Sequence, residues 1–185
     1  KQENLAPPAG EYVDILAQKA ERLRSMVLDI FEVSKAASGE LPVKPERLDL
    51  AKLLRQTMAD MQPHIDAAPV QLRPALPDEP VFITADGDRL YRVFQNLLSN
   101  ALKFTLKGGT VRLQVKQFIL KNNEVRLRFS ISDTGIGMSE EFLSRLFIPF
   151  EHAPSTISKK YGGTGLGMAI TKNLVDMMGG KIAVH

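Results

Sequence analysis

The sequence predicts an α+β protein in which helices lie on one face of a mixed, mostly antiparallel sheet, preceded by a long bundle helix. Three patterns support this fold class: an amphipathic helix over residues 87–104, two alternating strands within 109–133, and a narrow apolar stripe within the first 40 residues. Helices repeat apolar residues every three or four positions, whereas half-buried strands alternate them with polar residues. Helices grouped beside antiparallel strands are typical of the α+β class.

Composition limits the classes of protein that fit. The chain has 185 residues, 44% of them hydrophobic, which suffices for one sizeable buried core and a smaller appendage. Its formal charge of +3 is too small to indicate a nucleic-acid partner, so we expect none. The absence of cysteine excludes disulfides, thiol nucleophiles and cysteine zinc sites, and fits a reducing compartment. No run is apolar enough to span a membrane, so we expect any anchor to lie outside this chain.

The first segment predicts a helix with a seam for another helix. Its apolar residues are spaced alternately by three and four positions: Val13, Leu16, Ala20, Leu23, Val27 and Ile30. Such a stripe needs a partner, which could be a neighbouring helix, a second copy of the chain or the following domain. Dimerisation is the favoured interpretation, and an amphipathic helix lying on its own domain is the alternative. Gly39 and the prolines after it predict a boundary, which divides the chain into 1–40 and 41–185.

The second segment alternates short strands and helices. "RLDL" predicts a short strand before a helix over about 50–62 that stops near Pro63, and "VQLRPAL" and "VFITAD" predict strands separated by the turn "PDEP". "GTVRLQVKQFIL" and "EVRLRFSISD" predict a hairpin with Asn in the turn "KNNE". A glycine-rich loop and a final helix over about 165–178 follow.

Helix 87–104 has both a buried face and a polar edge. Its predicted buried face consists of Leu90, Val93, Phe94, Leu97, Leu98 and Ala101, and its polar edge of Arg92, Asn96, Asn100 and Lys103. Asn is a poor helix former, so two of them one turn apart suggest a use beyond helix formation, with a solvated surface as the alternative. A carboxamide oxygen is a suitable ligand for Mg²⁺.

The stretch "KKYGGTGLGMAI" resembles a phosphate cradle in its chemistry. Its glycines allow a ligand close to the backbone, and it opens a helix whose first N–H groups are unpaired. It is not a Walker motif, because Met168 and Ala169 follow where Lys and Ser or Thr are required, and the dinucleotide fingerprint is also incomplete. A merely flexible loop is the alternative.

"ISDTGIGMS" contains an Asp-Thr-Gly triplet beginning at Asp133. Aspartic proteases place a catalytic carboxylate in such a turn. Ile136 stands where Ser or Thr would follow, and the chain has no second triplet. A protease would therefore require two copies of the chain to share one site.

In this order, "NLLSNALKFT", "DTGIGM", "LFIPFE" and "GGTGLGMAI" closely resemble the N box, first glycine box, F box and second glycine box of bacterial sensor histidine kinases. The region "AERLRSMVLDIFEVSKAASGEL" resembles the second helix of that family's dimerisation bundle. The resemblance implies a two-layer α/β sandwich shared with gyrase, mismatch-repair and heat-shock chaperone ATPases. It also implies ATP and Mg²⁺ as cofactors.

The resemblance assigns a role to each matching residue. Asn100 would bind Mg²⁺ with Asn96 as its companion, Lys103 would contact phosphates, and Phe104 would lie beside adenine. Asp133 would accept a hydrogen bond from the adenine amino group. Gly135 and Gly137, which have no side chains, would keep that wall of the nucleotide pocket thin. The phosphates would be held by the backbone of Gly163, Thr164, Gly165, Leu166 and Gly167. The stretch "EHAPSTISKKY" is polar and without periodicity and predicts a mobile lid over the nucleotide. Lys159 or Lys160 in this lid could contact the terminal phosphate, or could be solvated surface charges.

The implied activity is transfer of the γ-phosphoryl group of ATP to a histidine on a bundle helix. None of the chain's histidines, His64, His152 and His185, fits that acceptor, so we expect the acceptor helix to be absent from this chain and the fragment to be inactive alone. From the resemblance we also expect the carboxyl end to be truncated before one or more strands that the family normally adds. The implied partners are a response-regulator receiver domain and a second copy through the bundle. The implied location is cytoplasmic, and the cytoplasmic part of a membrane-anchored receptor is one form that the resemblance allows. A nucleotide-binding regulatory module without transfer is the alternative function.

Overall fold

The computed structural model describes residues 9–37, 42–119, 125–151 and 163–185. The chain divides into two compact units, residues 1–41 and 42–185. None of the helices in these ranges combines the length and apolarity needed to cross a bilayer.

The first unit contains one long helix, α1 (Ala9–Ala37), as the stripe predicts. Five large apolar residues of the stripe are exposed: Val13, Leu16, Leu23, Val27 and Ile30. Its assignment as a bundle helix remains a prediction, and the expected cap at Gly39 lies outside the described residues.

The second unit places helices and strands in an order that follows the predicted one closely. Its elements are β1 (Glu46–Asp49), α2 (Leu50–Asp60), α3 (Gln62–Ala67), β2 (Gln71–Ala75), β3 (Phe82–Ala85), α4 (Gly87–Phe104), β4 (Thr110–Ile119), β5 (Val125–Asp133), α5 (Glu140–Arg145) and α6 (Gly167–Met177). The long helix and the two long strands are confirmed, and the predicted turn "KNNE" lies outside the described residues.

The strands form mainly antiparallel pairs. β4 lies between β2, which runs parallel to it, and β5, which runs antiparallel, while β1 and β3 form a separate antiparallel pair. Val111 and Leu113 of β4 are buried, whereas Arg112 between them is exposed. One face of the sheet therefore packs on the core and the other faces water, which agrees with the predicted α+β fold class.

The core joins helices α2 and α4 to strand β4. Leu50, Leu54, Leu90, Phe94 and Leu113 form one buried cluster, in which the ring of Phe94 packs edge-on against Phe129 with centroids 5.1 Å apart. A second cluster contains Met61, Leu98, Ala101, Leu102 and Val111. The buried face of α4 matches the predicted one except that Leu102 is buried and Leu97 only partly so.

Two short helices differ from the sequence prediction. Pro63 does not follow the end of α2 as a stop signal but lies in the first turn of α3, where proline is tolerated because its missing N–H is not needed. Helix α5 was not predicted. Its N-cap is Ser139, whose hydroxyl accepts a hydrogen bond from the N–H of Phe142.

The start of α4 is fixed by a buried carboxylate. Asp86 is 7% exposed and caps the helix by accepting from the N–H of Arg89, while its other oxygen accepts from the N–H of Lys44 and from Nε of Arg89. Burial alone would raise the pKa of Asp86. The N–H groups of Lys44 and Arg89 and the guanidinium of Arg89 outweigh burial and lower this pKa below its ordinary value of 3.8.

Asp86→Asn should destabilise the second unit by roughly 3 kcal/mol at pH 7, because it leaves the largely buried Arg89 without its counter-charge. Since folding lowers the pKa of Asp86, its charge stabilises the fold above the ordinary pKa and loses that effect as pH falls through the folded value. Urea unfolding at pH 7 and pH 3 should therefore show a difference between wild type and variant that shrinks on acidification.

The matched control is Asp88→Asn, which removes an exposed carboxylate from the same helical turn. It should cost only a few tenths of a kcal/mol, through the helix dipole. Equal losses for the two variants would contradict a special role for Asp86.

Candidate functional site

The polar edge of α4 contacts the first turns of α6 directly. Nδ2 of Asn96 donates to the carbonyl of Gly167 at 2.6 Å and to Oγ1 of Thr171 at 3.1 Å, and Thr171 is fully buried. The carbonyl can only accept, so it fixes the orientation of the amide. A Cβ at position 167 would lie 2.8 Å from Oδ1 of Asn96, so only glycine allows this close approach without displacing the amide.

Asn100, one turn further along α4, lies beside the same part of α6. It is half-buried, and its Nδ2 is 3.5 Å from Sδ of Met168. Within the described ranges its Oδ1 accepts no hydrogen bond, so this oxygen fits a ligand role. In the same ranges no three His, Asp or Glu side chains come together to hold a metal ion. A metal here would thus depend on carboxamide and ligand oxygens.

Lys103 completes the edge. Its Nζ lies 4.9 Å from the centre of the Phe104 ring and 3.5 Å from the point where a Cβ on Gly163 would lie. The structure therefore places the lysine beside the beginning of the glycine-rich turn.

The glycine-rich turn, residues 163–167, has the backbone that its sequence requires. Gly163 and Gly165 have φ of 144° and 68°, in the region that favours glycine. Leu166 is fully buried, and its N–H donates to Oγ1 of Thr164. No side chain caps the start of α6. Its first N–H groups thus remain donors at the positive end of the helix dipole.

The turn that begins at Asp133 is tied to the end of α4. Oδ1 of Asp133 accepts from the N–H of Gly135 at 2.9 Å, and the N–H of Ile136 donates to the carbonyl of Phe104 at 3.2 Å. A Cβ at Gly135 would lie 2.5 Å from that carbonyl oxygen. Gly135 therefore allows the turn to pack against the backbone of α4, and Oδ2 of Asp133 is the carboxylate oxygen left for a ligand.

Helix α4 thus brings most of the predicted residues together. Its middle contacts the turn 163–167, and its end contacts the turn after Asp133. Gly137, with φ of 66°, has open space where a Cβ would lie, which agrees with the thin pocket wall that the resemblance implies. Lys159 and Lys160 lie outside the described residues.

Three contributing residues were not singled out by the sequence. Thr171 and Met168 contact the two asparagines, and Phe150 donates its N–H to the carbonyl of Gly165 at 2.9 Å. Phe150 has φ of 66°, unusual for a residue with a side chain. Its place in "LFIPFE" was the available signal. For Thr171, the available signal was a polar residue directly after the apolar run from Met168 to Ile170.

These features define a class of domain: an α/β sandwich whose glycine turn and asparagine-bearing helix face one another. Residues 85–185 match the family model described as "Histidine kinase-, DNA gyrase B-, and HSP90-like ATPase". The chain belongs to this family.

Similar proteins with curated names are sensor kinases. The chain is 34% identical over 181 residues to the sensor protein GacS of Pseudomonas syringae pv. syringae, covering 97% of this chain and 20% of that protein. It is 35% identical over 177 residues to the circadian input-output histidine kinase CikA of Synechococcus elongatus, covering 95% of this chain and 23% of that protein. The chain therefore spans about a fifth of the length of these relatives.

Solved structures show the same fold. The full-length ShkA structure in complex with AMPPNP superposes with a TM-score of 0.73 at 30% identity, covering 96% of this chain and 36% of that one. The histidine kinase AdeS of Acinetobacter baumannii gives a TM-score of 0.71 at 21% identity, covering 95% and 77%. At that identity, the likeness to AdeS shows the fold alone.

Gly135→Ala should lower the free energy of unfolding by several kcal/mol, because the new methyl group would meet a backbone oxygen 2.5 Å away that cannot rotate aside. Gly137→Ala is the matched control. That position has space for the methyl group, so only its positive φ should cost about 1–2 kcal/mol. Chemical denaturation measures both, and a milder effect at Gly135 would contradict the close packing of this turn.

Proposed function

We propose that this chain is the ATP-binding catalytic part of a sensor histidine kinase, which transfers the γ-phosphoryl group of ATP to a histidine on a separate bundle helix. The observation that carries the proposal is the direct packing of the Asn96–Lys103 edge of α4 against the turn 163–167. This packing supports the proposal because a carboxamide oxygen, an ammonium group and the N–H groups at the start of α6 lie beside one another, which is the set of groups that a metal-bound triphosphate requires.

Each group has a separate task at the phosphates. Oδ1 of Asn100 would hold Mg²⁺, and Asn96 would assist through its Oδ1, since its Nδ2 donates hydrogen bonds to α6. The ion would offset negative charge on the phosphates. Lys103 and the N–H groups at the start of α6 would bind phosphate oxygens, as would the backbone of Gly163, Thr164 and Gly165, whereas the N–H of Leu166 already donates to Oγ1 of Thr164.

The adenine would lie at the other end of α4. Oδ2 of Asp133 would accept from the amino group of the base, and Phe104 would lie beside it. The Asx turn between Asp133 and Gly135 holds the carboxylate in place. The thin walls at Gly135 and Gly137 leave room for the base.

The reaction follows from what the site provides and what it lacks. A carboxamide cannot act as a general base at neutral pH, so Asn96 cannot activate water and hydrolysis should be slow. An imidazole nitrogen needs less activation. It would form a bond to the γ-phosphorus as the bond to the leaving ADP oxygen breaks, and the site contributes positioning and charge neutralisation. Lys159 or Lys160 would contact the terminal phosphate from the lid.

The partners and location are part of the same proposal. The exposed stripe of α1, which includes Val13, Leu16 and Leu23, fits a bundle seam with a second copy of the chain. The receiver domain of a response regulator would then accept the phosphoryl group from the histidine. Because ATP and response regulators are cytoplasmic, the proposal includes a cytoplasmic location for the domain.

We expect the chain to label a separate helical hairpin that carries the acceptor histidine when the two are mixed with γ-labelled ATP. Asn100→Ala should reduce labelling by at least tenfold, because it removes the proposed metal ligand. Ser99→Ala, an exposed neighbour on the same helix, should leave it unchanged. Nucleotide binding without any label would favour a regulatory module that does not transfer phosphate.

Asp133→Asn should weaken ATP binding by about tenfold or more, because a charged acceptor is lost, and should bring the affinities for ATP and GTP closer together. The carboxamide can still accept from the N–H of Gly135, so the turn should be retained. Calorimetry with both nucleotides measures the effect, with Asp88→Asn as control. Equal binding of ATP and GTP by the wild-type chain would show that Asp133 does not read the base.

A further inference from the structure

The outward face of the β2-β4-β5 sheet is strongly basic. Residues alternate between the two faces of a strand, so the neighbours of buried Val111 and Leu113 point to solvent. Five exposed cations occupy these outward positions, and together they are called the basic face: Arg73, Arg112, Lys116, Arg126 and Arg128.

The basic face places like charges opposite one another. Arg73 is the register partner of Arg112, and Lys116 is the register partner of Arg128. Like charges directly opposite on a sheet are destabilising. Among the residues that the structure describes, no carboxylate forms an ion pair with any of the five. Nη2 of Arg73 donates instead to the uncharged Oε1 of Gln71 at 2.9 Å.

A cavity lies between the first two arginines. Its volume is about 230 Å³, and its lining consists of Arg73, Thr110, Arg112, Ser132, Asp133 and Thr134. Oγ1 of Thr134 accepts from the N–H of Thr110, so its own proton can be donated to a ligand. Oδ1 of Asp133 is occupied by the N–H of Gly135. Two guanidinium groups and three hydroxyls therefore line this space beside the single carboxylate of Asp133, so cations and hydrogen-bond donors outnumber the one anion and the space suits an oxygen anion.

We infer that the basic face docks a separate protein that presents a surface rich in Asp and Glu, with one carboxylate seated between Arg73 and Arg112. Arginine binds carboxylates through two parallel hydrogen bonds, which fits paired guanidinium groups. The Lys116–Arg128 pair lies roughly 14 Å further along β4, given the rise per residue of a strand. The uncharged donors and acceptors of Gln114 and Ser130 lie between the two pairs.

The chemistry of the face is less suited to lipid or nucleic acid. In the described part of the face, Phe118 is the single aromatic residue, and the guanidinium of Arg128 lies 5.3 Å from the centre of its ring. Single-stranded nucleic acids bind several stacking aromatics, and membrane surfaces bind several apolar side chains. Carboxylates need only the charges and hydrogen-bond donors that the face provides.

The test is fluorescence anisotropy with a labelled peptide of alternating Glu and Ser, about twelve residues long. The double variant Arg73→Gln/Arg112→Gln should bind this peptide at least tenfold more weakly than wild type. The control Lys52→Gln/Lys181→Gln removes the same charge from exposed positions outside the basic face and should change affinity less than twofold. Equal weakening by both variants would overturn the proposal.

Further measurements distinguish the effect of paired hydrogen bonds from the effect of charge alone, and an acidic protein partner from other polyanions. Arg73→Lys/Arg112→Lys keeps the charge but loses the paired hydrogen bonds, so its affinity should fall between wild type and the glutamine variant. Since the two guanidinium groups repel each other, the glutamine variant should keep its unfolding temperature, which shows that weaker peptide binding is not caused by loss of the fold. Tighter binding of a single-stranded oligonucleotide, or of phosphatidylserine vesicles, than of the peptide would also overturn the proposal.

Discussion

The hydrogen bonds from Nδ2 of Asn96 to Gly167 and Thr171 hold the site together, because they join the two helices whose facing edges form it. Both N–H groups of one carboxamide are used, and both acceptors belong to the first turns of α6. This contact sets the separation between the polar edge of α4 and the glycine turn. The neighbouring positions of Asn100 and Lys103 relative to that turn then follow from helix geometry.

Helix α4 can serve this purpose because its opposite face is fixed in the core. Leu90, Phe94 and Leu98 are buried, and Asp86 secures the first turn. A rigid element of this kind positions side chains more accurately than a loop does. The two glycine-containing turns therefore both pack against α4, the turn 163–167 at its middle and the turn after Asp133 at its end.

The sequence predicted the elements that have strong periodicity. Helix α4 and strands β4 and β5 have long apolar repeats, so the pattern outweighs local exceptions. Helices α3 and α5 have six residues each, which is too short for a repeat, and Pro63 is compatible with both a helix end and a helix start. The parallel pairing of β2 with β4 depends on contacts far apart in the chain and leaves no local signal.

For the site, the sequence predicted the chemical type of the residues but not which of them are in contact. Two asparagines in a helix and a cluster of glycines indicated ligand chemistry, because Asn is a poor helix former and several glycines lose much backbone entropy when a loop becomes ordered. Whether the oxygen or the nitrogen of the Asn96 side chain remains available to a ligand depends on its contact with Thr171, which is 75 positions away in the sequence. The basic face needed the register as well, since Arg73 and Arg112 become neighbours only through the pairing of their strands.

The uncapped start of α6 has a consequence for local motion. Its first turn has N–H groups with no side-chain acceptor, and such turns fray more readily than capped ones. A bound polyphosphate would supply the missing acceptors, so occupancy would slow amide hydrogen exchange in residues 167–170 more than in the middle of α4. Nucleotide binding and ordering of the last helix would then be one coupled event.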